Sequence, residues 1–306
     1  MHFNEFLREA APLFGLQWRP FQRRGIKRKV EHRIFQIGLS NYEEYLLKVR
    51  SDPAELNHLS KILTVTISRF FRDKEVFNTI ETSIIPAFSG NKDKGDFKIW
   101  SIGCASGEEP YTFSLLWKEK FEKIWPQNRL SILATDIDEK LLKRAKEGRY
   151  RKSSLEEVPE TVLKNYFKTD KGSYILDRGI REKVEFREHD IIKEEPFSGM
   201  DMIFCRNLAF TYFSKESQVN VLKKIAGSLR EKGYLVIGKD ESLPFTYPTL
   251  FVPVFPLEKI YKKFSPFALT EESIIVYTPE TKSLLTSLYK REELPLFGKE
   301  GRGEIF

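Results

Sequence analysis

The stretch KIWSIGCASGEEPY, residues 98–111, decides the fold. Lys98–Ile102 is a short apolar strand candidate, Gly103 and Gly107 bracket a turn, and helical periodicity takes over from Glu109 to Lys123. Outward from it the alternation continues. Strand candidates fall at Leu130–Thr135, Val184–Arg187, Met200–Phe204 and Tyr234–Ile237, and helical patterns at Glu139–Glu147 and Lys215–Arg230. In the last helix Val221, Leu222, Ile225 and Leu229 form the buried face and Gly233 ends it. Strands alternating with helices predict an α/β fold, a parallel sheet with helices on both faces. Such sheets bind ligands at the carboxyl ends of their strands.

The strand ends carry the candidate chemistry. Glycines at a strand-to-helix turn let the backbone approach a ligand closely. A phosphate-binding turn leaves its helix N-terminus to the anion; here Glu108 and Glu109 occupy that place. The acids either stabilise the helix start or face a cationic ligand, and S-adenosylmethionine, with an ammonium and a sulfonium, is one. The second strand ends in Asp136, where a dinucleotide-type fold binds ribose hydroxyls, and Asp138 suits the N-cap of the next helix. The third ends in His189-Asp190, placing Asp190 on the same sheet edge, and the fourth in Arg206-Asn207-Leu208. Four successive strand ends bearing polar residues make the argument together.

The first seventy residues read as short helices. Ile26, Val30, Ile34 and Ile37 recur at helical spacing with Gly38 as a stop, Tyr42, Tyr45, Leu46 and Val49 make a second stripe, and Asp52-Pro53 opens a third helix with Glu55 in capping-box position. Residues 1–72 hold thirteen Lys and Arg against seven Asp and Glu, a net of +6 within a chain total of +7. A basic front end on a nearly neutral body suggests docking to something acidic. Residues 148–183 read as an insertion containing a helix at Pro159–Tyr166 and a hairpin turning at Lys171-Gly172; residues 265–306 read as an extension, with 298–306 disordered. Two distant cysteines form neither a disulfide framework nor a four-ligand zinc site, so no metal is expected. No signal-peptide core and no run of 18 uncharged apolar residues are found, so the expected location is cytoplasmic, without membrane insertion.

With these residues the chain resembles the CheR family of protein-glutamate O-methyltransferases over roughly residues 55–264. The resemblance rests on TVTISRFFR (64–72), SIGCASGEEPY (101–111), ATDID (134–138), YRKSSLEEVP (150–159) and FCRN (204–207). It implies a small helical N-terminal domain (1–72), a Rossmann-like methyltransferase domain (73–264) with a β-rich insertion, and S-adenosylmethionine as cofactor. Carried over by position, the cofactor contacts are Thr66, Ser68, Arg72, Gly103, Glu109, Asp136, Asp190, Asn207 and Leu208. Arg72 and Arg206 would line the reaction centre, Arg206 assisting there or serving as a structural ion pair, and the family's active-site tyrosine maps to Tyr212. Departures are Thr66 and Ser68 in place of asparagine and threonine, a run after Asn207 that is one residue longer, and Gly238-Lys239-Asp240-Glu241 where a Gly-His-Ser-Glu-like sequence is common. The implied acceptor is a glutamate carboxylate on an acidic protein, a helical receptor or signalling protein. Its docking face would be the helix bearing Arg23, Arg24, Lys27, Arg28 and Arg33. The alternatives are an adaptor that binds the cofactor without transfer, and a methyltransferase for nucleic acid or a small molecule; the Asn207-Leu208-Ala209-Phe210 sequence lacks the proline pair typical of base amino methylation.

Overall fold

The computed structural model describes residues 1–63, 68–89, 95–126, 128–244 and 250–264; residues 1–264 form one compact unit. The expected extension, 265–306, lies outside the described residues. Helices α1 (Phe3–Ala10), α2 (Arg24–Gln36), α3 (Tyr42–Ser51) and α4 (Pro53–Leu63) come first. Ile26, Val30 and Ile34 form the buried stripe of α2, and Tyr45, Leu46 and Val49 that of α3. The Asn41 side chain caps α3 by accepting from the Glu44 N–H, and Asp52 Oδ1 accepts from the N–H groups of Ala54 and Glu55 at the start of α4.

One detail at that cap corrects the sequence reading. Glu55 does not reach back to form a capping box. Its carboxylate is buried and takes two parallel bonds from Arg33, Nε to Oε1 at 2.9 Å and Nη2 to Oε2 at 2.6 Å, while the Tyr45 hydroxyl donates to Oε1 at 2.8 Å. A fork-to-fork pair with a third donor outweighs the single local bond a capping box would give. Arg33 is thereby turned inward and drops out of the exposed basic face.

After α4 come α5 (Lys74–Thr79) and, through one wide π turn, α6 (Ile85–Ser89). The alternating part follows: β1 (Phe97–Ile102), α7 (Glu108–Leu116), β2 (Leu130–Asp136), α8 (Glu139–Glu147), β3 (Arg149–Tyr150), α9 (Glu160–Tyr166), β4 (Phe167–Asp170), β5 (Ser173–Leu176), α10 (Arg178–Arg181), β6 (Val184–Glu188), β7 (Met200–Cys205), α11 (Ala209–Tyr212), α12 (Lys215–Ser228), β8 (Leu229–Ile237), β9 (Phe251–Phe255) and β10 (Ile260–Lys263). The main sheet has the order β6-β2-β1-β7-β8-β10-β9. Its first five strands are parallel, and β10 and β9 add an antiparallel edge. The strand order reverses between β1 and β7, which puts the switch point beside the Gly103 turn.

Alternation along the strands assigns the two faces. Trp100, Ile102, Ile203, Cys205, Leu235 and Ile237 point into one core with α1–α4 and α12. Ile99, Met202, Phe204 and Val236 point into the other, with α5–α8 and the insertion. The N-terminal helices therefore cover one face of the sheet and share its core. Within the insertion β3, β5 and β4 form a small antiparallel sheet, with φ of 46° at Lys171 and 76° at Gly172 in its hairpin turn, the pairing expected of a two-residue type I′ connection.

Two sequence expectations shift. Helix α12 stops at Ser228, and Leu229 pairs with Met200 as the first residue of β8; Gly233 is buried inside that strand rather than ending a helix. The edge strands β9 and β10 also go unread by an all-parallel expectation. Cys104 and Cys205 are buried, unbonded thiols. Among the described residues no helix is long and apolar enough to cross a membrane.

The Arg33–Glu55 pair yields a test. The Arg33 guanidinium holds the Glu55 carboxyl below the usual carboxylate range, against the opposing pull of burial. A depressed carboxylate contributes stability above its unfolded pKa and loses it as pH falls through the folded value. Glu55→Ala is expected to cost about 2 kcal/mol at neutral pH, because the partly buried Arg33 guanidinium and the buried Tyr45 hydroxyl lose their shared acceptor. In urea titrations the gap between variant and parent should narrow as pH falls below about 4.

Candidate functional site

The turn after β1 is held from beneath by β2. The N–H groups of Gly103 and Cys104 both donate to the Thr135 carbonyl, at 2.8 and 2.9 Å. Ala105 donates its N–H to Asp136 Oδ2 at 2.9 Å, and Asp138 donates to Oδ1 of the same carboxylate at 3.0 Å. Asp136 thus joins the glycine turn to the start of α8, which Asp138 caps through the Lys140 N–H. At Gly103, φ is 72° and an added Cβ would lie 2.6 Å from Leu208 Cδ2, so glycine is required for the first turn residue to lie under the end of β7. Asp190 closes the turn after β6, its Oδ1 accepting from the Ile192 N–H at 2.9 Å. The sheet register pairs Glu188 with Asp136, whose carbonyl also accepts from the His189 N–H, so Asp190 follows on the same sheet edge.

A second cluster stands where the Phe-Phe-Arg segment meets α7 and β7. Arg206 is buried, at 8 % exposure. Its Nη1 donates to Glu109 Oε2 at 3.2 Å, and Nη2 donates to the Arg72 carbonyl at 3.2 Å and to Asp73 Oδ2. Its guanidinium carbon lies 5.8 Å from the centre of the Phe77 ring. Ser101 Oγ donates to the other Glu109 oxygen at 2.8 Å, and the Phe71 N–H donates to Thr112 Oγ1 at 2.9 Å. The Arg72 side chain is half-exposed, with Nε 4.0 Å from Asp73 Oδ2. Ser68 hydrogen-bonds to Glu108, whose other oxygen, Oε2, is buried without a hydrogen-bond partner among the described residues.

Backbone strain is concentrated at these clusters. Of the seven non-glycine residues with positive φ among the described residues, Phe71, Asp73, Ala105 and Asn207 lie at the site. Each such conformation costs about 1–3 kcal/mol and persists only where surrounding contacts impose it.

Burial dominates the electrostatics. It pushes the carboxyls of Glu108, Glu109 and Asp136 above their ordinary range. Arg206 and Ser101 work against it at Glu109, and the Asp138 and Ala105 N–H groups do so at Asp136. Three largely enclosed acids around one glycine turn, of which Glu108 is fully buried with an orphaned oxygen, fit a ligand that carries positive charge and hydrogen-bond donors. The geometry disfavours a pyrophosphate there.

Of the residues expected from sequence, Ser68, Arg72, Gly103, Glu109, Arg206 and Leu208 are brought together around β1 and β7, with Asp136 and Asp190 on the β2 and β6 ends. Asn207 adopts φ of 56° beside Leu208. Thr66 lies outside the described residues. Tyr212 is set apart: its ring stacks on Phe21 at 5.4 Å and its carbonyl accepts from the Gln17 N–H at 2.8 Å. Sequence reasoning missed Asp73 and Ser101, which complete the Arg206 and Glu109 contacts. Their signal was proximity alone, Asp73 directly after the Phe-Phe-Arg segment and Ser101 within the first strand.

Arg206→Met would leave Asp73 and Glu109 without their shared cation while keeping much of the side-chain volume. The expected loss is about 3 kcal/mol of unfolding free energy in denaturant titration. Arg206→Lys should recover only part of it, because one ammonium cannot reproduce the planar fork.

Residues 66–255 match the CheR methyltransferase, S-adenosylmethionine-binding domain, family. The chain is 31 % identical over 225 residues to chemotaxis protein methyltransferase 2 of Vibrio cholerae, covering 70 % of this chain and 77 % of that protein. It is 29 % identical over 229 residues to the chemotaxis protein methyltransferase of Listeria innocua, covering 75 % and 85 %. An uncharacterized 104.1 kDa protein of Rhodobacter capsulatus is 30 % identical over 221 residues, 71 % of this chain but only 23 % of that protein's length. The family match spans the glycine turn, the acids around it and the Arg206 clamp, and S-adenosylmethionine has the two cationic groups that such a site suits. The chain therefore belongs to the CheR family of S-adenosylmethionine-dependent methyltransferases.

Proposed function

We propose that this chain transfers the methyl group of S-adenosylmethionine to a glutamate side-chain carboxylate on an acidic, helical segment of a partner protein, such as a receptor or signalling protein. The observation that carries this reading is Arg72. Its half-exposed guanidinium sits on a strained segment whose carbonyl and following carboxylate are clamped by buried Arg206. Ser68, Arg72, Gly103, Glu109, Asp136, Asp190, Asn207 and Leu208 are the residues assigned to hold the cofactor, together with Thr66.

When bound, S-adenosylmethionine supplies a methyl group activated by a sulfonium. The acceptor needs no base, since a glutamate with a pKa of about 4.3 is already ionised at neutral pH. The protein's task is to bring that anion past the acids around the glycine turn, and half-exposed Arg72 is assigned to do so. Arg72 stays charged and can grip a carboxylate with two parallel bonds. Arg206 acts on Arg72 through the backbone, and in this reading it is a positioning residue. Tyr212 joins the segment after Asn207 to the N-terminal region through its ring and carbonyl, and it too positions.

Docking falls to α2. Arg23, Arg24, Lys27 and Arg28 are exposed there, whereas Arg33 is committed to Glu55. This is the face assigned to the acidic partner; a cluster of exposed cations selects anionic surfaces but is screened by salt.

Incubation of the full chain with labelled S-adenosylmethionine and cellular protein should give label on protein that alkali releases as volatile methanol, the behaviour of a carboxyl ester. Alkali-stable label, or label on nucleic acid, would overturn the reading. Arg72→Ala is expected to lower transfer about 100-fold with the fold intact, and near-normal turnover would remove Arg72 from its role. With the acceptor in hand, raising salt from 50 to 300 mM should raise its KM several-fold. The double change Arg24→Glu, Arg28→Glu should do the same at low salt and leave cofactor affinity unchanged.

A further inference from the structure

The end of β8 carries a buried carboxylate that the reading above does not use. Glu241 is 3 % exposed. Its Oε2 accepts from the Asn207 N–H at 2.8 Å and the Gly238 N–H at 2.6 Å, and its Oε1 accepts from Thr211 Oγ1 at 2.6 Å. No Lys, Arg or His is among these described partners. A carboxylate buried without a cation is costly unless donors saturate it, and here two main-chain N–H groups and a hydroxyl do so with charge-assisted bonds. The contact is close on every side: an added Cβ at Gly238 would lie 2.6 Å from Asn207 Nδ2 and 2.7 Å from Glu241 Oε2.

What Glu241 grips is the segment between β7 and α12. Asn207 has φ of 56°, and Leu208, with φ −129° and ψ −89°, follows it as the N-cap of α11. Leu208 in turn lies against Gly103. One oxygen of Glu241 therefore holds the main chain just before Leu208, and the other holds Thr211, three residues after it. Thr211 is also fixed from the opposite side, its carbonyl accepting from Gln17 Nε2 at 2.7 Å. Asparagine adopts the left-handed region more readily than most residues, and Glu241 fixes this one by accepting from its N–H.

We infer that Glu241 is a positioning residue for the cofactor: by its two-point hold it sets the Asn207 turn so that Asn207 and Leu208 face the ligand over Gly103. The inference rests on the assignment of Asn207 and Leu208 to the cofactor site. It adds that the β8 end, which touches no reacting atom, controls cofactor affinity.

The test is calorimetric titration of the full chain with S-adenosylhomocysteine, run well below each variant's thermal midpoint so that lost stability alone does not register as lost binding. Glu241→Ala strands three buried donors and is expected to weaken binding at least about tenfold. Glu241→Gln keeps the shape and one acceptor oxygen, and its amide can donate to the Thr211 hydroxyl; it should bind within about threefold of the parent. Wild-type affinity in folded Glu241→Ala would overturn the inference. Equal weakening by Ala and Gln would overturn it too, because the charge and not the held geometry would then be what the ligand senses. Should Glu241→Ala fail to fold, Thr211→Val removes one of the three bonds: several-fold weaker binding supports the inference and unchanged binding opposes it. Asn207→Gly keeps the left-handed turn but deletes the side chain. Unchanged affinity there, beside weakened Glu241→Ala, would remove Asn207 as a contact and leave the positioning of Leu208 standing; unchanged affinity in both would remove the inference altogether.

Discussion

The buried guanidinium of Arg206 ties together three segments far apart in the chain: the end of β7, the start of α7 through Glu109, and residues 72 and 73 ahead of α5. Removing an arginine from water costs several kcal/mol, which only well-placed partners offset. Two carboxylates and a carbonyl meet that demand here, with an aromatic ring nearby. The consequence is geometric. Arg72 and Asp73 cannot move independently of the glycine turn, because the same cation holds both. A loop that carried Arg72 without this clamp would present it over a range of positions, and in-line transfer tolerates little misplacement.

Charge around the turn is deliberately unbalanced. Arg206 pairs with Glu109 and Asp73, Arg144 offsets Glu108 only from a distance, and Asp136 is met by main-chain N–H groups. Burial raises three of those acids because the protein alone does not fully compensate them. A ligand bringing an ammonium and a sulfonium relieves that imbalance, whereas an anionic ligand would aggravate it. In the proposed transfer the same acids would repel the incoming carboxylate, and half-exposed Arg72 is the residue assigned to offset them.

Much of this was readable in the chain because parallel strands are buried on both faces and show as short apolar runs, and because polar residues at their carboxyl ends have few structural reasons to be there. That logic pointed to Asp136 and Asp190, which do stand beyond β2 and β6 on one sheet edge, while Asp138 reads as the helix cap that it is. It failed where two structures share one pattern. Leu229 continues the spacing of Val221, Leu222 and Ile225, so periodicity carries α12 past Ser228, yet pairing with Met200 makes Leu229 a strand residue. Glu55 three residues after Asp52 fits a capping box as well as a buried ion pair. Only Arg33, three residues after Val30 and so at the margin of the buried stripe, hints at the pairing that occurs. The Arg206 clamp was legible as a question, structural pair or reaction-centre residue, and its answer needed Asp73, which no spacing rule singles out.

The separation of the exposed basic helix from the buried site divides the work by range. Charges on α2 face water, so their field reaches about one Debye length and weakens with salt. In the clamp Arg206 is buried and its partners Glu109 and Asp73 are only partly exposed, so it is screened less than the helix charges. The two are nevertheless joined through the chain itself. The N-terminal region meets the segment after Asn207 along Gly15–Gln17 and Thr211–Ser214, by the Leu16–Phe213 bridge and three hydrogen bonds. A partner docked on α2, as proposed, would press on a body that is already fastened to the segment after Asn207. Under the proposed roles, recharging one helix face would alter recognition, while the turns assigned to the cofactor stay under the control of buried contacts.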